Sequence, residues 1–178
     1  RTVAASPDGR FFASAGEETR IMLWDASTNK LSKIFNGHID FVNGLAFSSD
    51  GKLLASAGAD GRVLIWDVAT NKPIRTLQGH SGAVNKVVFN STGKLLASVG
   101  QDGRVIIWQV ATGQPAEVFQ GHKGAVRAVA FSRDGQTLAS AGEDAQVMLV
   151  DVKSGKLRKS LGGSANSINA FAFGPDGT

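Results

Sequence analysis

His80, Ser98 and Asp102 bring together the side-chain types of a hydrolytic triad: a hydroxyl nucleophile, an imidazole base and a carboxylate to orient it. The same types stand 42 positions earlier as His38, Ser56 and Asp60, and 42 positions later as His122, Ser140 and Asp144. That recurrence argues against catalysis, because an active site is not needed several times in one domain. No nucleophile elbow or oxyanion loop accompanies the serines. Histidines spaced 42 apart do not make a metal site either, since each is explained by its own copy. The glycines lie in hairpin-like clusters and not before a helix, so no phosphate-cradling loop is present. Glu17-Glu18 has no second carboxylate placed to form an acid–base pair. The expectation is a non-enzyme, with no catalytic residue, no metal ligand and no cofactor.

The elements that must position these residues follow the same period. Gly37-His38, Gly79-His80 and Gly121-His122 are in register, with Gly163-Ser164 as an altered fourth version. Trp24, Trp66 and Trp108 are in register, and Val150 takes the fourth place. The copies are 1–36 (partial), 37–78, 79–120, 121–162 and 163–178 (partial), with no insertion or deletion between them. Copy 37–78 holds four apolar runs: Val42–Phe47, Leu53–Ala57, Val63–Trp66 and Ile74–Leu77. Between them lie Ser48-Ser49-Asp50-Gly51, Gly58-Ala59-Asp60-Gly61 and Ala69-Thr70-Asn71-Lys72. Such residues supply positive φ or side-chain-to-backbone bonds at tight turns. Short runs rich in Val, Ile, Leu and Phe between turns read as antiparallel strands, and no stretch sustains a helical period. Each copy is therefore a four-stranded antiparallel meander. Ile168–Phe173 is expected as the first strand of a fifth copy, followed by a turn at Gly174-Pro175-Asp176-Gly177.

Gly-His, then Phe-Ser-x-Asp-Gly, then Leu-Ala-Ser-x-Gly-x-Asp, then Trp-Asp resembles the WD40-repeat family, and the resemblance covers the whole chain. It implies an all-β β-propeller of four-stranded WD40 blades, about four repeats long and incomplete at both ends, with residues 1–178 forming one propeller domain or part of one. It also implies structural tetrads: the turn Asp accepts from the His, the His contacts the Ser, and the Ser meets the Trp indole N–H. The complete sets are His38, Ser56, Asp60, Trp66 and His80, Ser98, Asp102, Trp108. Partial sets are Ser14, Glu18, Trp24 without a His, and His122, Ser140, Asp144 with Val150. Ser164 stands for the His in the fifth copy, and Gln109 replaces the Asp of Asp25, Asp67 and Asp151.

Four blades do not readily close a ring, and an open arc leaves apolar faces at its ends. The chain is therefore expected to be a fragment of a longer propeller. A homodimer closing an eight-bladed ring is the second option, and capping by another component the third.

The family resemblance places partner contacts on the loop after Gly-His and the loop before the tetrad Asp. The candidates are Phe41, Asn43 and Ala59; Ala83, Asn85 and Gln101; Ala125, Arg127 and Glu143; with Glu17, Ser167 and Asn169 from the incomplete copies. Phe41 and Arg127 are the types that anchor interfaces; Arg127 could equally pair with Glu143. The function expected is a non-catalytic scaffold for protein or peptide partners. The alternatives are the regulatory or sensor propeller of a larger enzyme, such as a kinase or protease, and a binder of anions or nucleic acid.

That last alternative rests on charge. The net charge is +4, and residues 121–162 carry seven Lys/Arg against four Asp/Glu. Lys153, Lys156, Arg158 and Lys159 form a basic patch. No aromatic residues interleave to stack bases, which weighs against nucleic acid. No run of eighteen apolar residues suggests a membrane span, and no signal-peptide pattern opens the sequence. The absence of Cys fits a cytoplasmic location.

Overall fold

Reversal of the chain is fixed first by short polar residues. Ser48 Oγ donates to Asp50 Oδ1 at 2.6 Å and accepts from the Leu53 amide at 3.0 Å, closing a turn that ends on Gly51 at φ 69°. Ser6 and Ser132 build the same turn with Asp8 and Asp134, and Asn90 serves in the third copy. Between such turns the apolar runs extend and pair. The structure is a computed structural model that describes residues 1–162 and 165–174.

Four antiparallel sheets of four strands follow in sequence order. The first is β1 (Thr2–Ala5), β2 (Phe11–Ala15), β3 (Arg20–Asp25) and β4 (Lys30–Asn36). The second is β5 (Val42–Phe47), β6 (Leu53–Gly58), β7 (Arg62–Asp67) and β8 (Lys72–Gln78). The third is β9 (Val84–Phe89), β10 (Leu95–Gly100), β11 (Arg104–Gln109) and β12 (Pro115–Gln120). The fourth is β13 (Val126–Phe131), β14 (Thr137–Gly142), β15 (Val147–Asp151) and β16 (Leu157–Leu161). No helix long and apolar enough to cross a membrane occurs among the described residues. The fourth strands run longer than the apolar pattern suggests. In β8 only Leu77 is buried, so neighbouring polar residues pair without an apolar signature.

The core lies between sheets and not within one. Ala13, Ile21, Leu23 and Phe35 of the first sheet meet Leu54, Leu64 and Trp66 of the second. Val63, Ile65 and Leu77 then meet Leu96, Ile106 and Trp108. Val99, Val105 and Ile107 meet Leu138 and Val150. The first strands β1, β5, β9 and β13 adjoin one another in order, and the sheets do not close a ring. The two unpaired faces show it. Phe12 is 43% exposed where its repeat equivalents Leu54, Leu96 and Leu138 are fully buried. Leu161 is 42% exposed where Leu77 is 1%.

The expected strand at Ile168–Phe173 does not form. A first strand pairs with the second strand of its own sheet, and no strand among the described residues takes that place beside it. The segment keeps only the link that joins successive sheets: Ile168 N donates to Gly142 O at 2.9 Å, as Val42 N does to Gly16 O at 3.1 Å. Ser164 and the turn residues 175–177 lie outside the described residues.

Candidate functional site

One end of the sheets carries the Gly-His loops. In the second sheet Trp66 Nε1 donates to Ser56 Oγ at 2.8 Å, Ser56 Oγ meets His38 Nε2 at 2.7 Å, and His38 Nδ1 meets Asp60 Oδ2 at 2.9 Å. In the third, Trp108 reaches Ser98 at 2.8 Å, Ser98 meets His80 at 2.8 Å, and His80 meets Asp102 at 3.0 Å. The His–Asp separations are ion-pair distances, but burial pushes the His38 and His80 imidazoles down, more than Asp60 and Asp102 raise them. The rings are therefore neutral, donate through Nδ1–H and accept the serine hydroxyl at Nε2. Burial also raises the Asp60 carboxyl. Hydrogen bonds from Arg62 and His38 outweigh it and hold the group below its ordinary value.

This is triad geometry without triad access. Ser56 and Ser98 have no exposed surface, and each hydroxyl is held between the imidazole and the indole. Each set instead satisfies polar groups that would otherwise be stranded. No described buried side-chain nitrogen or oxygen lacks a partner. Asp60 and Asp102 also accept from the amides of Ile39 and Ser81, tying the Gly-His loop down.

Two contributors escape a reading of residue types. Arg62 Nη2 donates to Asp60 and, at 3.1 Å, to Gly37 O; Arg104 Nη1 donates to Gly79 O at 3.0 Å. The recurring Asp-Gly-Arg of Asp60–Arg62 and Asp102–Arg104 is the available signal, and Asp144-Ala145-Gln146 breaks it in the fourth sheet. Gly37 and Gly79 are also fixed by packing. A Cβ there would stand 2.7 Å from the Trp66 ring or 2.9 Å from the Trp108 ring.

The incomplete sets differ. His122 meets Ser140 at 2.8 Å and Asp144 at 3.0 Å, but Ser140 has no indole to accept from. The space that a Trp takes over Gly37 and Gly79 is filled over Gly121 by Phe119 of the preceding sheet, 2.4 Å from where a Cβ would be. In the first sheet Trp24 donates to Ser14 at 2.8 Å. Glu18, expected in the place of the tetrad Asp, is exposed and pairs with Arg20 at 2.8 Å, because no histidine faces it.

The contact candidates sort into presented and spent residues. Phe41 is 38% exposed, with the Arg1 guanidinium 4.7 Å from its ring centre. Gln101, Glu17, Ser167 and Asn169 are exposed, and Ala59 and Ala83 are half-buried. Arg127 is exposed but ion-paired with Glu143 at 2.5 Å, and the guanidinium holds the Glu143 carboxyl below its ordinary value. Ala125, expected at the contact surface, is buried at 8%, because its carbonyl accepts from Glu143 N and draws its loop onto the sheet. Asn43 and Asn85 act between sheets: their amides donate to Val84 O at 3.0 Å and Val126 O at 2.8 Å. Of the basic patch, Arg158 is committed to Asp151 and Thr137, leaving three lysines. No group of three or more metal-ligating side chains occurs among the described residues.

Sequential four-stranded meanders, packed face to face with their first strands together, define a set of β-propeller blades. The WD domain, G-beta repeat model matches residues 1–25, 29–67, 71–109 and 113–151, and the chain belongs to that WD40-repeat family. No curated protein matches the chain. Members of the family generally act as protein-interaction scaffolds and are generally non-catalytic.

Proposed function

We propose that this chain is a non-catalytic scaffold whose Gly-His loop face holds a protein or peptide partner. The observation that carries the reading is the contrast within that face. Its foundations are buried and fully hydrogen-bonded, while Phe41, Gln101, Arg127 and Glu143 stand out to solvent. A rigid base under varied side chains lowers the ordering cost of binding. The exposed faces of the first and fourth sheets are the two faces that meet at every internal interface. A further WD-type blade, or a second copy closing a ring, fits them.

The test is selection of peptides from a random library against the intact chain. Phe41→Ala together with Arg127→Ala is expected to weaken selected binders at least tenfold, the scale of an interface hot spot of about 1.4 kcal/mol or more. Binders indifferent to both substitutions would place the contact elsewhere and overturn the assignment.

A further inference from the structure

The sheet ends remote from the Gly-His loops carry a second recurring feature. One fourth-strand position decides its chemistry at each interface: Lys33 in β4, Arg75 in β8 and Glu117 in β12. Lys33 Nζ crosses to the second sheet and donates to Val68 O at 2.7 Å and to Ala69 O. Arg75 Nη2 crosses to the third and donates to Ala111 O at 2.7 Å, while Nη1 donates to Ile74 O. Ala69 and Ala111 hold equivalent turn positions, and Lys153 holds that position in the fourth sheet.

At the third interface the cation is replaced by an acid. A carboxylate has no donor to offer a carbonyl. Among the described residues, neither Val152 O nor Lys153 O receives a hydrogen bond, and the Glu117 carboxylate makes no hydrogen bond or ion pair. Glu117 lies against Gly155, with Oε2 2.7 Å from where a Cβ would stand. Here the sheets leave a groove of about 610 Å³ with apolar walls from Leu95, Ala116 and Val152. The first interface has a comparable groove of about 570 Å³, so the shape belongs to the repeat. What is particular to the third is an anion where its sisters place a cation.

We propose that this groove, between the third and fourth sheets and away from the loop face, binds an arginine side chain of a partner protein. The guanidinium would do from outside what Lys33 and Arg75 do from within, donating to the Val152 and Lys153 carbonyls. Its remaining donors pair with Glu117. A planar five-donor group can reach the carbonyls and still pair with the carboxylate through a two-pronged fork, whereas an ammonium that donates to both carbonyls, as Lys33 does, keeps a single donor for Glu117. The apolar walls suit the methylene stem. Asp151, also in the lining, is already neutralised by Arg158, so Glu117 is the carboxylate that receives the ligand. Lys153 at the rim opposes an incoming cation, and its effect is part of the test.

The ¹⁵N-labelled chain is titrated with N-acetyl-arginine methylamide, with the uncharged citrulline counterpart as control, following the amides of Glu117 and residues 152–155. Saturable shifts with the arginine compound alone are expected. Glu117→Gln should weaken binding at least about tenfold, the scale of a charge-assisted hydrogen bond. Lys153→Ala should tighten it about two- to threefold. Glu117→Arg should abolish it by supplying the cation from the chain. The proposal is overturned by an absence of saturable shifts at 152–155, by an equal response to citrulline, or by undiminished binding in Glu117→Gln. The last criterion stands even if Glu117→Arg fails to fold.

Discussion

The third and fourth sheets hold the same His–Ser–Asp triangle with different fourth members. Around Ser98 the triangle is closed by Trp108 from its own sheet; around Ser140 it is left open, and the volume is made up by Phe119 from the sheet before. The third sheet is therefore stapled internally, across its own strands. The fourth borrows its packing from a neighbour, and its triangle lacks the indole hydrogen bond. The turn beneath differs as well. Gly103 sits at φ 75° where glycine is at ease, whereas Ala145 is held at φ 57° in the same repeat position. A Cβ in the left-handed region is costly, and Gln146 supplies no guanidinium to reach Gly121 O as Arg104 reaches Gly79 O. Shared polar residues alone thus do not make equivalent blades.

The sharpest way to break this comparison is Trp108→Ala. It should destabilise the third sheet by about 3–5 kcal/mol through the cavity and the lost indole hydrogen bond to Ser98, read as accelerated amide exchange in residues 104–109. Val150→Ala removes fewer atoms and no hydrogen bond, so it should cost about half as much or less at 147–151. Equal losses would mean that the indole is not what distinguishes the two. Repairing the fourth sheet is smaller in scale. Ala145→Gly should stabilise it by about 1 kcal/mol, seen as slower exchange at 146–150. No change or a loss would show the turn to be unstrained.

Acid should act through the complete tetrads. Burial depresses the His38 and His80 pKa values in the fold, so the unfolded chain takes up protons first as pH falls through the ordinary histidine value near 6.5. Their stabilising contribution is whole above that pH and declines below it. At lower pH the carboxyls of Asp60 and Asp102, also depressed in the fold, add a second loss. A thermal midpoint that falls between pH 7 and pH 5 is expected. A midpoint rising over that range would mean that the imidazoles are charged in the fold.

The blade pattern was legible because strands, turns and tryptophans repeat at one spacing with no insertion, and turn residues such as Ser48, Asp50 and Gly51 act within a few positions of each other. The tetrad residues were legible by type for the same reason. What escaped depends on the neighbouring sheet. Phe119 differs little from Leu77 as an apolar residue of the fourth strand, yet only beside Val150 does it move over Gly121. Asn43 and Asn85 looked like surface polar residues, and their partners lie 41 positions ahead. Ile168–Phe173 has the composition of a first strand, but composition cannot supply a pairing partner.

Those two asparagine amides carry a further consequence. Each fastens one first strand to the backbone of the next, at Val84 and then Val126, and at the following equivalent position Arg127 turns to Glu143 of its own sheet. The fasteners are directional: the second sheet grips the third, and the third grips the fourth. Under mechanical load the molecule should behave as a row of hooks with the last one undone. The junctions of the second sheet with the third and of the third with the fourth would bear force through these hydrogen bonds, while residues 168–174, at the place Arg127 leaves ungripped, would peel away before either of them slipped.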